Sequence, residues 1–215
     1  MHPIPRRLVL TAFGVGLGAL AAGGPHPAAA QPDPGRAVNF IQATGQELTA
    51  AINDTRSDLA ARRLRVAGIL RRAVDVDGVG RFIIGRWWRQ ASPAEQQDYM
   101  KLFEETLIRN LSARFGEYQG VRFLLGRAQS RTEDDVLVNT VIERPNVAPF
   151  SLDWRVGEVG GQPRVVDVIA EGTSLRLTQR SEYSAVIQRN NGSVAALLQA
   201  MRGQIQQLAA REQGR

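Results

Sequence analysis

The sequence predicts an α+β domain in which helices pack on one face of a four-stranded antiparallel sheet. Three observations predict it. Apolar residues recur at helical spacing from Val38 to Phe115, the period falls to two between Val121 and Ala170, and helical spacing returns from Leu175 to Leu208. Successive strands joined by short turns make a meander with one apolar face, and the helices before and after it in sequence supply its cover.

Residues 1–30 read as a cleavable export signal, leaving residues 31–215 as a single domain. Arg6 and Arg7 precede an apolar run from Leu8 to about Ala22, and Ala28-Ala29-Ala30 supplies the small residues of a cleavage site before Gln31. The run is too short and too rich in Gly and Ala for a bilayer span, which takes about 20 strongly apolar residues. Arg6-Arg7 also resembles a twin-arginine signal, but Pro5 stands where Ser or Thr is usual, so Sec export is the first reading and twin-arginine export the second.

After a Pro/Gly-containing linker, Gln31 to Gly35, two helical stripes follow: Val38, Ile41, Leu48 and Ile52, then Leu59, Val66, Ala67, Leu70 and Val74. Asn53-Asp54 separates them. A shorter segment runs from Asp77 through Phe82 and Ile83 to Trp87-Trp88. Ser92-Pro93-Ala94-Glu95 is a capping box with proline at the first helical position, and it opens a long helix carrying Tyr99, Phe103, Leu107, Leu111 and Phe115. The expected strands carry Val121/Phe123/Leu125, Val136/Val138, Phe150/Leu152/Trp154 and Val166/Val168, with turns at Ser130 to Asp134, between Pro145 and Pro149, and at Gly157 to Gly161. Thr173 or Ser174 then caps a helix with Leu175, Tyr183 and Ile187. Asn191-Gly192 breaks it, and Ser193 caps the last helix.

Composition excludes more than any motif suggests. There is no cysteine, and both histidines, His2 and His26, fall in the leader; removing it also takes two arginines and no acid, so the net charge drops from +6 to +4. The remaining chain therefore has no Cys/His zinc site, no thiol nucleophile, no imidazole shuttle and no Ser/His/Asp relay. Basic residues, all arginine except Lys101, are scattered without interleaved aromatics, which disfavours nucleic acid and fits a mild attraction to anionic head groups or acidic partners. Asp75/Asp77, Glu104/Glu105 and Glu133-Asp134-Asp135 are the carboxylate clusters; they read as caps or solvated turns, and they lack the ligand spacing of a calcium loop. No dinucleotide or phosphate loop is present, so neither a cofactor nor a metal is expected.

Three stretches carry a family resemblance: Asp77 through Gly85-Arg86, Trp88-Arg89, Ala91-Ser92 and Glu95-Gln96; Val166-Asp167-Val168-Ile169-Ala170-Glu171-Gly172 with Ser174-Leu175; and Gln179-Arg180-Ser181-Glu182-Tyr183 with Ile187-Gln188-Arg189. Together they resemble the MlaC-type toluene-tolerance family, periplasmic auxiliary components of an ABC-type lipid transport system. Trp87, where Tyr is frequent in the family, and Thr173, where a branched apolar residue is frequent, depart from the pattern. The resemblance implies a periplasmic carrier with phospholipid as cargo. It implies an apolar cavity between sheet and helices, and as partners an inner-membrane ABC transporter complex with its membrane-anchored lipid-binding subunit and an outer-membrane lipoprotein complex. One wall of the cavity is then Phe123, Leu125, Val136, Val138, Leu152, Trp154, Val166 and Val168, and the other Phe82, Ile83, Trp87, Phe103, Leu107 and Leu111. Arg86 and Arg89 are expected near the head group or a docking surface; equally, Arg86 pairs with Asp167 or Glu171 to pin the helices to the sheet. Enclosure is a physical necessity for such cargo, because a two-chain lipid exposes roughly 30 methylenes and leaving them in water costs on the order of 20 kcal/mol. Three alternatives stay open: a carrier of another membrane lipid such as a hopanoid, an extracytoplasmic carboxylate-dependent hydrolase, and a docking module without ligand.

Overall fold

The computed structural model describes residues 33–115, 117–130 and 134–213. Residues 1–30, the expected export signal, lie outside the described residues. All described residues belong to one compact unit, Gln31–Arg215.

The first helix, α1 (Pro34–Asn53), begins inside the expected linker. Asp33 caps it by accepting the Gly35 N–H at 2.8 Å, and Pro34 takes the first helical position, where a missing N–H costs nothing. Asp58 caps α2 (Leu59–Ala73) and Asp75 caps α3 (Val76–Ile84), which runs into a short 3-10 helix, Gly85–Arg89. The capping box of α4 (Pro93–Ser112) is formed in both directions: Ser92 N–H reaches Glu95 Oε2 at 2.8 Å, and Glu95 N–H reaches Ser92 Oγ at 3.3 Å.

The sheet has five strands in sequential order, all antiparallel, where four were expected: β1 (Arg122–Ser130), β2 (Asp135–Arg144), β3 (Val147–Val159), β4 (Gln162–Ala170) and β5 (Thr173–Ser174). The fifth is two residues long, and its Ser174 also caps α5 (Leu175–Arg189), so the expected cap and the unexpected strand share a residue. Pro149 lies inside β3 rather than in the preceding turn, which is made at Pro145-Asn146 with Asn146 at φ 59°. A register shift at Arg155/Val156 places Val165, not Val166, opposite Val156. Val165 is therefore sealed in the core, and Val166 is left half-buried beside Gly157. The chain ends in α6 (Val194–Gln213).

Helix α1 covers the sheet, crossing β1, β2 and β4. Around Ile41, its buried face carries the small residues Ala37, Thr44 and Gly45, which allow close approach; a Cβ on Gly45 would lie 2.6 Å from the Phe123 ring. Helix α4, expected as the opposing cavity wall, instead packs on α6 and α2. The reason is α1, whose small-residue face has already taken the sheet.

Candidate functional site

Residues assigned from the sequence to the two walls of a lipid cavity divide among three apolar clusters. Ile83, Trp87 and Phe103, with Phe82 against them, join Tyr99, Tyr183, Ile187 and the α6 residues Leu197, Leu198 and Met201 in an all-helical cluster. Leu111, Phe123 and Leu152 pack on the cluster of Ala51, Ile52, Val66, Ile69, Phe115, Val121 and Ile142. Val136 and Val138, with Trp154 and Val168 against them, belong with Ala37, Ile41, Val156 and Val165. Phe123 touches the second and third clusters and joins them. Leu107 is half-buried on α4, and Leu125 is 38% exposed on β1. An open groove of about 430 Å³ between α1 and α2 is lined by Glu47, Ala50, Leu64, Arg65, Gly68, Ile69 and Arg72, none of which was singled out from sequence.

Burial on the core face of the sheet is uneven. Val136, Val138 and Thr140 are sealed, whereas Leu125, Leu152, Trp154, Val168 and Ala170 keep partial exposure. Strand register places these in two adjoining rows, Leu125–Thr140–Leu152–Ala170 and Ala128–Val138–Trp154–Val168. Trp154 spends its indole N–H on Thr140 Oγ1 at 2.8 Å, and Thr140 in turn donates to the Leu152 carbonyl at 3.2 Å. The rows therefore present an apolar strip with its polar atoms satisfied.

The helical cluster centres on Tyr99, whose hydroxyl donates to the Gly80 carbonyl at 2.9 Å and whose ring meets Trp88, Phe103 and Tyr183. Burial pushes the phenols of Tyr99 and Tyr183 well above the ordinary tyrosine range, with Tyr183 adding to the rise at Tyr99 and Glu182 to that at Tyr183. Both stay neutral and serve packing.

Arg86 and Arg89 are both exposed, and Arg86 stacks on the Trp87 ring at 4.6 Å. Pinning to Asp167, one of the two options for Arg86, is done by Arg176. Asp167, 5% exposed, accepts the backbone N–H groups of Val168 and Arg176 and the Ser174 hydroxyl, and its Oδ2 lies 3.3 Å from Arg176 Nε. Sequence reasoning quoted Asp167 within a motif but missed this partner, although the nine-residue spacing across a tight turn was available to it.

Of the carboxylate clusters, Glu133 lies outside the described residues, and most of the others have structural partners. Asp75 caps α3, Asp77 pairs with Arg81, Glu104 with Arg71 and Glu105 with Arg109. Asp135 is not in a solvated turn: it opens β2, is 8% exposed, and pairs with Arg155 at 2.7 Å. Among the described residues no group of three or more acids could hold a metal, and no helix is long and apolar enough to cross a membrane.

Similarity to known proteins agrees with the resemblance. A family model described as MlaC protein matches residues 41–203. The toluene tolerance protein ttg2D of Pseudomonas putida is 22% identical over 138 residues, which is 64% of this chain and 64% of that protein, so the chain spans somewhat less than two thirds of that relative's length. In structure, the phospholipid-binding protein from Ralstonia solanacearum, solved in complex with a phospholipid, superposes with a TM-score of 0.72 at 23% identity, covering 80% of this chain and 98% of that one. With the family match extending over more than half its residues, this chain belongs to the MlaC family.

Proposed function

We propose that the protein is a periplasmic lipid carrier that binds the acyl chains of a phospholipid and moves the lipid between an inner-membrane ABC transporter complex and an outer-membrane lipoprotein complex. Membership of the MlaC family is the observation that carries this reading, and the phospholipid complex of the similarly folded Ralstonia solanacearum protein supports it. The export signal over residues 1–30 supplies the compartment. No catalytic group is required, in keeping with a chain whose histidines both lie in that signal.

The acyl chains lie along the strip formed by Leu125, Leu152, Trp154 and Val168, with Phe123 swinging away from Gly45 to admit them and Leu111 closing the space from α4. The placement is supported by the strip's contiguity: its partly exposed apolar residues sit in two adjoining rows of the sheet, and contiguous apolar patches mark binding grooves. Phe82, Ile83, Trp87, Phe103, Val136 and Val138 act behind it, as the packed frame. Arg86 and Arg89 present an exposed basic surface to acidic groups on a partner complex.

The reading is tested by transfer of a fluorescent phospholipid between donor and acceptor vesicles. Purified protein should raise the transfer rate in proportion to its concentration. A rate no higher than that of an unrelated soluble protein overturns the carrier role.

A further inference from the structure

Two arginines share one aromatic ring at the start of α5. The guanidinium carbons of Arg176 and Arg180 lie 4.5 and 4.9 Å from the centre of the Phe82 ring. Bringing two cations to one ring is electrostatically unfavourable unless counter-charge is supplied. The carboxylate at hand is Asp167, and its capacity is used: Oδ1 accepts the N–H groups of Val168 and Arg176, and Oδ2 accepts the Ser174 hydroxyl and faces Arg176. Even there Arg176 Nε is buried without a hydrogen bond.

Arg180 has no carboxylate within ion-pairing distance among the described residues. Its Nη1 donates to the Phe82 carbonyl at 2.9 Å, and its guanidinium rests over Gly85, where a Cβ would come within 3.1 Å. Gly85 has φ 60°, a conformation glycine tolerates, so both backbone and packing leave room for the guanidinium. The side chain is thus positioned by neutral groups with its charge unspent. On the same helix, Leu175 and Leu177 are 49% and 56% exposed.

We propose that Arg180, assisted by Arg176, holds the phosphate of a phospholipid head group, with Phe82 as the platform that fixes both guanidiniums. Arginine suits a phosphate because its planar fork donates to two oxygens at once. The exposed leucines of the same helix offer apolar surface that a lipid, unlike a free phosphate ion, can use. This deepens the carrier reading and rests on it. Arg86 lies over a different ring, Trp87, with no second arginine on it, and serves as the comparison.

The test offers the protein an equimolar mixture of a phospholipid and the diacylglycerol with the same acyl chains, and native mass spectrometry reads the ratio retained. The wild type should favour the phospholipid. Arg180→Gln should lower the ratio about tenfold while diacylglycerol is still retained, Arg180→Lys should recover part of it, and Arg86→Gln should leave it unchanged. An unchanged ratio in Arg180→Gln with both lipids bound, or an equal fall in Arg86→Gln, overturns the head-group assignment and leaves the carrier reading standing. Retention of neither lipid by the wild type overturns the carrier reading, and this assignment with it. Inorganic phosphate titrated against lipid-free protein separates the two sources of the oxyanion: a saturable, Arg180-dependent NMR shift together with an unchanged lipid ratio assigns the site to free phosphate.

Discussion

Glu212 receives Arg109 Nη1 at 2.9 Å with its own side chain only 3% exposed, which ties the end of α6 to the middle of the fold. Arg63 reaches the same oxygen at 3.2 Å from α2, and Ser112 donates to the other. One carboxylate near the chain end thus holds α2, α4 and α6 together.

Replacing Glu212 by Ala leaves Arg109 and Arg63 facing each other in a part-buried site, although Glu105 still pairs with Arg109. Removing one member of a buried ion pair costs on the order of 3 kcal/mol. A fall in denaturant midpoint of that size is expected for E212A, with a smaller fall for E212Q, which keeps an acceptor for Ser112.

Gly45→Ala tests how closely α1 lies on the sheet. Alanine is the better helix former by about 1 kcal/mol, so the substitution would stabilise an open helix. Here the new Cβ would stand 2.6 Å from Phe123, and overpacking costs about 1–3 kcal/mol. Net destabilisation is expected in chemical denaturation, and combining it with Phe123→Leu should recover most of the loss.

Much of this architecture was legible in the sequence. Ser92-Pro93-Ala94-Glu95 announces α4 by local chemistry alone, and Phe150/Leu152/Trp154 reports a strand by its period. Asp33-Pro34 carries part of the same start signal, a capping residue followed by proline, inside a stretch read as linker. What stayed hidden depends on contacts distant in sequence. Nothing local says that α1, through Gly45, takes the sheet face expected to oppose α4. Nor does local pattern show that Glu212 meets Arg63, or that one bulge exchanges Val165 for Val166 in the core. For the site, the apolar faces were readable residue by residue; their division among three clusters was not.

Asp54, between α1 and α2, has its carboxyl pulled down to about 2. Hydrogen bonds from the Ser57 hydroxyl and the Arg56 N–H lead, Arg65 and the Ser57 N–H add to them, and desolvation opposes. A depressed carboxyl stabilises the fold above its unfolded pKa, near 3.9, and that contribution is lost as pH falls through the folded value. The Asp54 side-chain carboxyl followed by NMR should titrate with a midpoint near 2. Asp54→Asn should abolish the local pH response between about 4 and 2.

Trp154 distinguishes the sheet strip from the helical cluster as the place of the acyl chains. In Trp87→Phe/Trp88→Phe protein, a phospholipid brominated along its chains should quench the remaining Trp154 fluorescence strongly. In Trp154→Phe protein the quenching of Trp87 and Trp88 should be several-fold weaker. The opposite order would place the chains among the helices.

Native mass spectrometry of protein exported to the periplasm and purified without detergent is the most direct measure of lipid carriage. The predicted result is a one-to-one complex whose added mass, released on activation, is that of a diacyl phospholipid. Protein that is consistently empty, and remains so after incubation with phospholipid vesicles, would contradict the account.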